Sequence, residues 1–412
     1  MRSSFGTGRL RRIAHRRTDK QVRRRTRGPG RHGNSGMGRA ERMGLLVAAM
    51  PGLTALVALL FTWMSVDQSR TELRIAEQGQ ITNRFTAAIN NLGSDSEDVR
   101  LGGIYALQRI MLDSARDQPT IVMVLTAYAR RHARVPASGF AKERQEVIEQ
   151  SLESPVKLEA DVQAVLSVLA DRSADHDERA ILDLRHTDLR GAEVFTRRKT
   201  PEHGAAFRAA GFDEADLRHS TFDGVDLRHA SFLRSNLAAA RFDYVDLSDA
   251  SMEEADLTNT IIWDANLTRA DLNYAKLHEA QLDSAVNLTK ATLLTADLTG
   301  AYLDDANLSN AALIGANLKG ASLTGAKLHG ARLSNVDQES LAREFGWYID
   351  KNGSLAKADL TGADLTNADL RGVDLTEATL VDADLRGAKL AGVKLTRAKL
   401  DGVRGLPASL RP

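Results

Sequence analysis

The residues best suited to chemistry are ten histidines and fifty-four aspartates and glutamates, and their spacing assembles no reaction site. His219 and His229 are ten residues apart, and no histidine has metal-ligand spacing. Neither a phosphate-cradling GxxxxGK[ST] loop nor a GxSxG elbow occurs. Cysteine is absent, which removes thiolate nucleophiles, disulfides, and Cys-based zinc or iron–sulfur sites. Carboxylates are plentiful, but a catalytic pair needs a cleft that shifts its pKa values. The reading is a protein without catalytic residues, cofactor or metal.

What remains is the chemistry of charge and of aromatic anchors. Between Asp243 and Asp305 thirteen acidic residues face only Arg269, Lys276 and Lys290. An acidic patch is expected at Asp243, Asp246, Asp249, Glu253, Glu254 and Asp256. From Arg386 to Arg411 the sign reverses, with seven basic residues against Asp401. Such fields can steer a charged partner. The segment 337–354 gathers Phe345, Trp347 and Tyr348 in a region otherwise poor in large aromatics. It reads either as a partner-binding loop or as a bulge packed on neighbouring chain. Residues 1–43 hold fourteen Arg and Lys against Asp19 and Glu41. Their composition predicts a disordered basic tail, whose Arg23, Arg24 and Arg25 suit lipid or nucleic-acid phosphate. Setting membrane topology is the simpler role, and nucleic acid is the less favoured partner.

A five-residue period positions most of these groups. From Phe207 to Leu282, Phe, Leu, Met or Ile recurs at every fifth position, usually with Ala two residues before it. One extra residue near Ala285-Val286 shifts the phase, and the pattern resumes from Leu288 to Leu333 and again from Leu360 to Leu400. Leu184 and Leu189 begin the series before an interruption at 195–204. Neither a helix nor a strand keeps every fifth residue on one face. A chain that turns a corner every five residues does, with four repeats to each coil and Leu and Ala pointing at the axis. Nine coils at strand spacing make a rod of about 43 Å.

The motif A-(D/N)-L-x-x, as in Ala363-Asp364-Leu365-Thr366-Asn367, resembles the pentapeptide-repeat family of bacterial proteins. The resemblance covers residues 180–404 and implies a mainly β fold, a right-handed quadrilateral β-helix. For the outward Asp and Asn before each Leu, such as Asp216, Asp226, Asn236, Asp246, Asp256, Asn266 and Asp271, local bonding at the corners is the expected role. The Qnr and MfpA group of this family acts as acidic, DNA-like rods on DNA gyrase. That implies an alternative function, a DNA-mimicking regulator of gyrase or another nucleic-acid enzyme. This chain departs from the group: its acidic stretch is local and no dimerisation helix follows its coils.

Gly44 to Val66 runs twenty-three residues without a charge, enough to cross about 30 Å of hydrocarbon as a helix. Trp63 suits an interface, and the basic flank places residues 1–43 in the cytoplasm and the rest outside. A cytoplasmic rod is the alternative. Residues 67–175 predict a small helical module, with helix-period positions around Phe85, Ile104, Leu125 and Val165 and a helix start capped by Ser94 or Asp95. It can cap one end of the coils; a short tail, 405–412, follows the other. Together these features predict a membrane-tethered scaffold, with a single-pass anchor in the cell membrane and an unidentified protein partner.

Overall fold

The computed structural model describes residues 39–134, 158–177, 180–196, 207–282, 285–334 and 353–411, with the side chains of 39–51, 53 and 174 outside that description. Two units make up the chain, Met1–Ile75 and Ala76–Pro412. The tail up to residue 38, the interruption at 197–206 and residues 335–352 lie outside the described residues.

In the first unit the described chain is helical from Arg39 onward, within helix α1 (Arg39–Leu92). The apolar run at 44–66 therefore has no ends of its own. Pro51 does not stop the helix, and beyond Val66 come good helix formers such as Glu72, Leu73, Arg74 and Ala76. Leu56, Leu59, Leu60, Phe61, Trp63 and Met64 are each more than half exposed. Among the described residues no helix is long and apolar enough to cross a membrane. Those side chains begin at Gly52 and Thr54, part-way along the apolar run.

The second unit contains the end of α1, then α2 (Glu97–Asp113), α3 (Gln118–His132) and α4 (Ala160–Asp171). Ile104, Leu107 and Ile110 of α2, Ile121 and Leu125 of α3, and Val165, Leu166 and Leu169 of α4 are buried. These are the positions that the helical period picked out. Ser96, rather than Ser94 or Asp95, is the cap residue of α2, and the Ser94 hydroxyl accepts its N–H at 3.2 Å. Gly103 lets α2 approach α1 closely: a Cβ there would stand 2.9 Å from the Ala88 carbonyl oxygen. Among the described residues this core also buries Gln118, Thr126, Asp161 and Arg172. Asp161, 1% exposed, accepts from Arg100 Nε at 2.6 Å, Tyr128 OH at 2.5 Å and the Val162 N–H at 2.7 Å.

From residue 182 the chain coils. The Leu247 carbonyl accepts the Ala250 N–H at 3.0 Å, and Asp249 between them has φ 59°. This is the left-handed second position of a type II turn. The same positive φ recurs at every fifth residue, as at Glu254 and Asn259. Between corners, parallel bridges tie residues twenty apart, as in Asp226 to Asp246 to Asn266. Four five-residue steps thus close one coil. The central Leu and the Ala before it are buried along nearly the whole length.

Register locates the interruptions. Partners stand 28 apart at Asp183 and Gly211, 21 at Asn266 and Asn287, and 37 at Asn317 and Ser354. The phase shift read near residue 285 is therefore one extra residue in one coil. The last block begins one repeat earlier than the period suggested, at Leu355, and Val194 joins Leu184 and Leu189 in the shaft.

Among the described residues only the first of the four faces carries continuous strands: β1 (Glu193–Phe195), β2 (Thr221–Asp223), β3 (Arg241–Asp243), β4 (Ile261–Trp263) and β5 (Gln281–Leu282), parallel and in chain order. Inside the early coils the shaft alternates rings with leucines such as Leu217, Leu227 and Leu237. Phe212 stacks on Phe232 at 4.9 Å and Phe222 on Phe242 at 5.2 Å. At this end the helices close the open ladder. Gln163 of α4 accepts the Glu193 N–H at 3.0 Å and donates to the Glu193 carbonyl at 2.5 Å, and the Ala133 carbonyl accepts the Asp188 N–H at 2.6 Å. Beyond the last coil, Leu406 of the tail is buried while Leu395 and Leu400 are partly buried.

Candidate interaction surface

Each coil offers three outward positions per face: the residue before the central Leu and the two after it. The residue before is held locally. Asp216, Asp226, Asn236, Asp246, Asp256, Asn266 and Asp271 each accept the backbone N–H two residues on. Where that residue is Thr or Arg its side chain adds a bond, as Thr258 Oγ1 does to Asp256 at 2.7 Å and Arg228 Nη2 to Asp226 at 2.7 Å. These carboxylates shape corners, as the motif implied.

The expected acidic patch does not form one surface. Residues a few positions apart in sequence lie around the coil, so Asp243 falls on the first face, Asp246 and Asp249 on the second, Glu253 and Glu254 on the third, and Asp256 on the fourth. Cations answer several of them. Asp243 pairs with Arg241, Asp249 with Arg269 one coil on through Nε at 2.6 Å, and Asp256 with Lys276 at 3.2 Å. The Arg269 hydrogen bond holds the Asp249 carboxyl below its usual range. Burial, with Asp271 and Glu254 nearby, pushes Glu253 up. His219 and His229 fall on opposite faces, and among the described residues no His/Asp/Glu group could hold a metal ion. Phe345, Trp347 and Tyr348, and likewise Arg23, Arg24 and Arg25, lie outside the described residues.

A surface that the linear reading passed over lies on the first face. Phe195, Tyr244, Trp263 and Tyr302 are 46%, 48%, 41% and 49% exposed. The Tyr244 and Trp263 ring centroids are 5.2 Å apart. Tyr302 bridges Gln281, which pairs with Ile261 beside Trp263. The signal was in the sequence, but only modulo twenty: Tyr244 and Trp263 are nineteen apart, which makes them neighbours on adjacent coils.

Comparison with known proteins agrees with this geometry. The family model described as pentapeptide repeats matches repeatedly from residue 210 to 337 and from 354 to 404. The chain is a pentapeptide-repeat protein. Among solved structures it resembles HetL from the cyanobacterium Nostoc, a pentapeptide-repeat protein involved in heterocyst differentiation regulation, at 27% identity over 54% of this chain and 88% of that one, with a TM-score of 0.35. A pentapeptide-repeat protein of the Arabidopsis thaliana thylakoid lumen is 29% identical over 27% of this chain and 66% of that one, with a TM-score of 0.22. The plasmid-mediated fluoroquinolone resistance protein QnrB1 is 23% identical over 52% of this chain and 90% of that one, also at 0.22. No curated protein matches. At these TM-scores the likenesses carry no argument about what this pentapeptide-repeat protein binds.

Proposed function

We propose that this pentapeptide-repeat protein is a membrane-tethered scaffold that offers its solenoid to a protein partner. The observation that carries the reading is the set of large apolar side chains left open on α1 from Leu56 to Val66. They continue a charge-free run that starts at Gly44. Twenty-three helical residues span about 35 Å, more than a hydrocarbon layer of about 30 Å. Open apolar surface of this kind is stable in lipid and costly in water. The excess of Arg and Lys before it favours a cytoplasmic amino-terminal side and a solenoid on the other, with Arg23, Arg24 and Arg25 against anionic headgroups.

Pentapeptide-repeat proteins of this kind are generally non-enzymatic, and a convex rod of locally bonded carboxylates suits binding better than turnover. DNA mimicry of the gyrase-directed type is less well supported. It needs a continuous run of free negative charge, whereas Asp243, Asp249 and Asp256 face three different ways and each has a cation.

Fractionation at high pH and a reporter fused after Pro412 test the reading. Retention in the membrane pellet is expected, and extraction would remove the anchor. A reporter that works only in the cytoplasm should stay silent, and an active one would reverse the orientation.

A further inference from the structure

We propose that the first face of the solenoid is a docking surface for a cationic protein segment, rich in arginine or lysine, seated on Tyr244, Trp263 and Tyr302 among the carboxylates of Asp243, Asp264 and Asp305. This deepens the reading of the rod as a protein scaffold and does not depend on the anchor. Among the described residues between 180 and 411, four of the six large hydrophobic side chains left exposed, Phe195, Tyr244, Trp263 and Tyr302, lie on this one face. A soluble rod gains nothing from rings in water, so their concentration on one side marks a contact surface.

Charge selects the partner. In the outward rows of the coils from β1 to Tyr302, the acidic residues Glu193, Asp223, Asp243, Asp264, Asp304 and Asp305 face Arg241 as the one cation among the described residues. Arg241 is already committed to Asp243. Asp304 is partly engaged, accepting from the Ser322 hydroxyl and the Thr324 N–H. Asp264 and Asp305 have no ion pair among the described residues. An excess of carboxylates beside open ring faces suits guanidinium and ammonium groups, which rings attract within about 6 Å.

A second, independent sign is Asp243 itself. It is 8% exposed, and its Oδ1 is buried with no hydrogen-bond partner among the described residues. Its Cα pairs with that of Trp263 in the ladder, so the unmet oxygen belongs to the same strip as the rings. A carboxylate oxygen taken from water without a donor is costly. The atom has no open surface, so an arriving N–H donor satisfies it only by displacing the side chains that cover it. Trp263 and Tyr302 stand two coils apart, about 10 Å at strand spacing, a span that a few residues of extended peptide laid along the rod cover. Such a peptide can set basic residues on the rings and carboxylates in turn.

Neutral polysaccharide also stacks on exposed rings, and the test separates the two. The full-length protein in detergent micelles is titrated into a fluorescein-labelled nona-arginine peptide, at physiological salt and at several-fold higher salt, and separately with hydroxyethylcellulose. Peptide binding is expected to weaken about tenfold in D264N/D305N and about fivefold in W263A/Y302A, and to fall with salt. E254Q/E279Q removes two charges from other faces and should change it less than about twofold. An equal loss in E254Q/E279Q would reduce the effect to net charge and overturn the proposal. So would unaltered peptide binding in W263A/Y302A, or cellulose-ether binding that depends on these rings while peptide binding does not. All the variants alter outward side chains, and an unchanged circular dichroism spectrum checks their fold.

Discussion

At the residue scale, the most consequential polar group is one that the repeat did not announce. Burial by itself would raise the Asp161 carboxyl, but hydrogen bonds from Tyr128, Arg100 and the Val162 N–H bring it below its ordinary value. Tyr128 is pushed well above its own range, first by burial and then by Asp161. Asp161→Ala would strand Arg100 and Tyr128, and a loss of about 3–5 kcal/mol is expected for removing one partner of a buried pair. Urea unfolding followed by protection of α2 to α4 amides measures it. On the rod, Asp369 shows the same balance: burial opposes, Arg371 and Ser334 bonds prevail, and its pKa is held at about 2. Both folded values are depressed. Their stabilisation is therefore full above the unfolded pKa of about 4 and is lost as pH falls through the folded values, about 2 for Asp369. Asp369→Asn should flatten the acid limb of a stability–pH profile over that window, and an unchanged limb would contradict the assignment. The local role of Asp and Asn before Leu was legible because each repeat states it again. Asp161 was not, since one polar residue early in a helix looks the same whether it faces water or a buried arginine.

Among elements, the join between α4 and β1 decides how the coils begin. Gln163 supplies the donor and the acceptor that a preceding coil would have given Glu193. Gln163→Leu keeps volume and removes both bonds, so a cost of about 1–3 kcal/mol is expected. Faster amide exchange in β1 and β2, with the C-terminal coils unaffected, is its signature; uniform exchange along the rod would mean that the helices do not cap the ladder. Within the shaft, Phe232→Ala breaks the ring stack with Phe212 and should cost about 3–5 kcal/mol. The sequence showed that helices precede the repeat and that Val162, Val165, Leu166 and Leu169 form an apolar stripe. It did not show which side chain would reach β1, because Gln163 stands beside that stripe and its partner is backbone. Nor did hydropathy show α1 continuing past Val66, since a helix ends where capping and propensity fail rather than where apolar residues stop.

For the whole molecule, a coil of twenty residues converts sequence distance into direction. The run from Asp243 to Asp256 reads as one acidic block, yet it winds through all four faces, while Tyr244, Trp263 and Tyr302, from three different coils, fall on the same face. Fold class was legible because the five-residue period is strict. The binding face was not, because it needs the register, and the register shifts by one residue between Leu282 and Leu288. The same geometry makes stability local: each coil leans on its neighbours, so loss spreads from whichever end is least supported. The first coil is bonded to helices, whereas Leu395, Leu400 and Val403 in the last are only partly covered. Gly405 closes that last turn at φ 77°, and a Cβ there would stand 2.5 Å from the Arg386 nitrogen. In this chain Gly405→Ala must either strain the backbone or lift Leu406 from its buried seat. Amide protection should then fall from Leu385 to Arg404 and stay unchanged from Phe222 to Phe242. A loss of protection at both ends together would instead mean that the rod unfolds as one cooperative body, and that nearest-neighbour stacking is not what limits it.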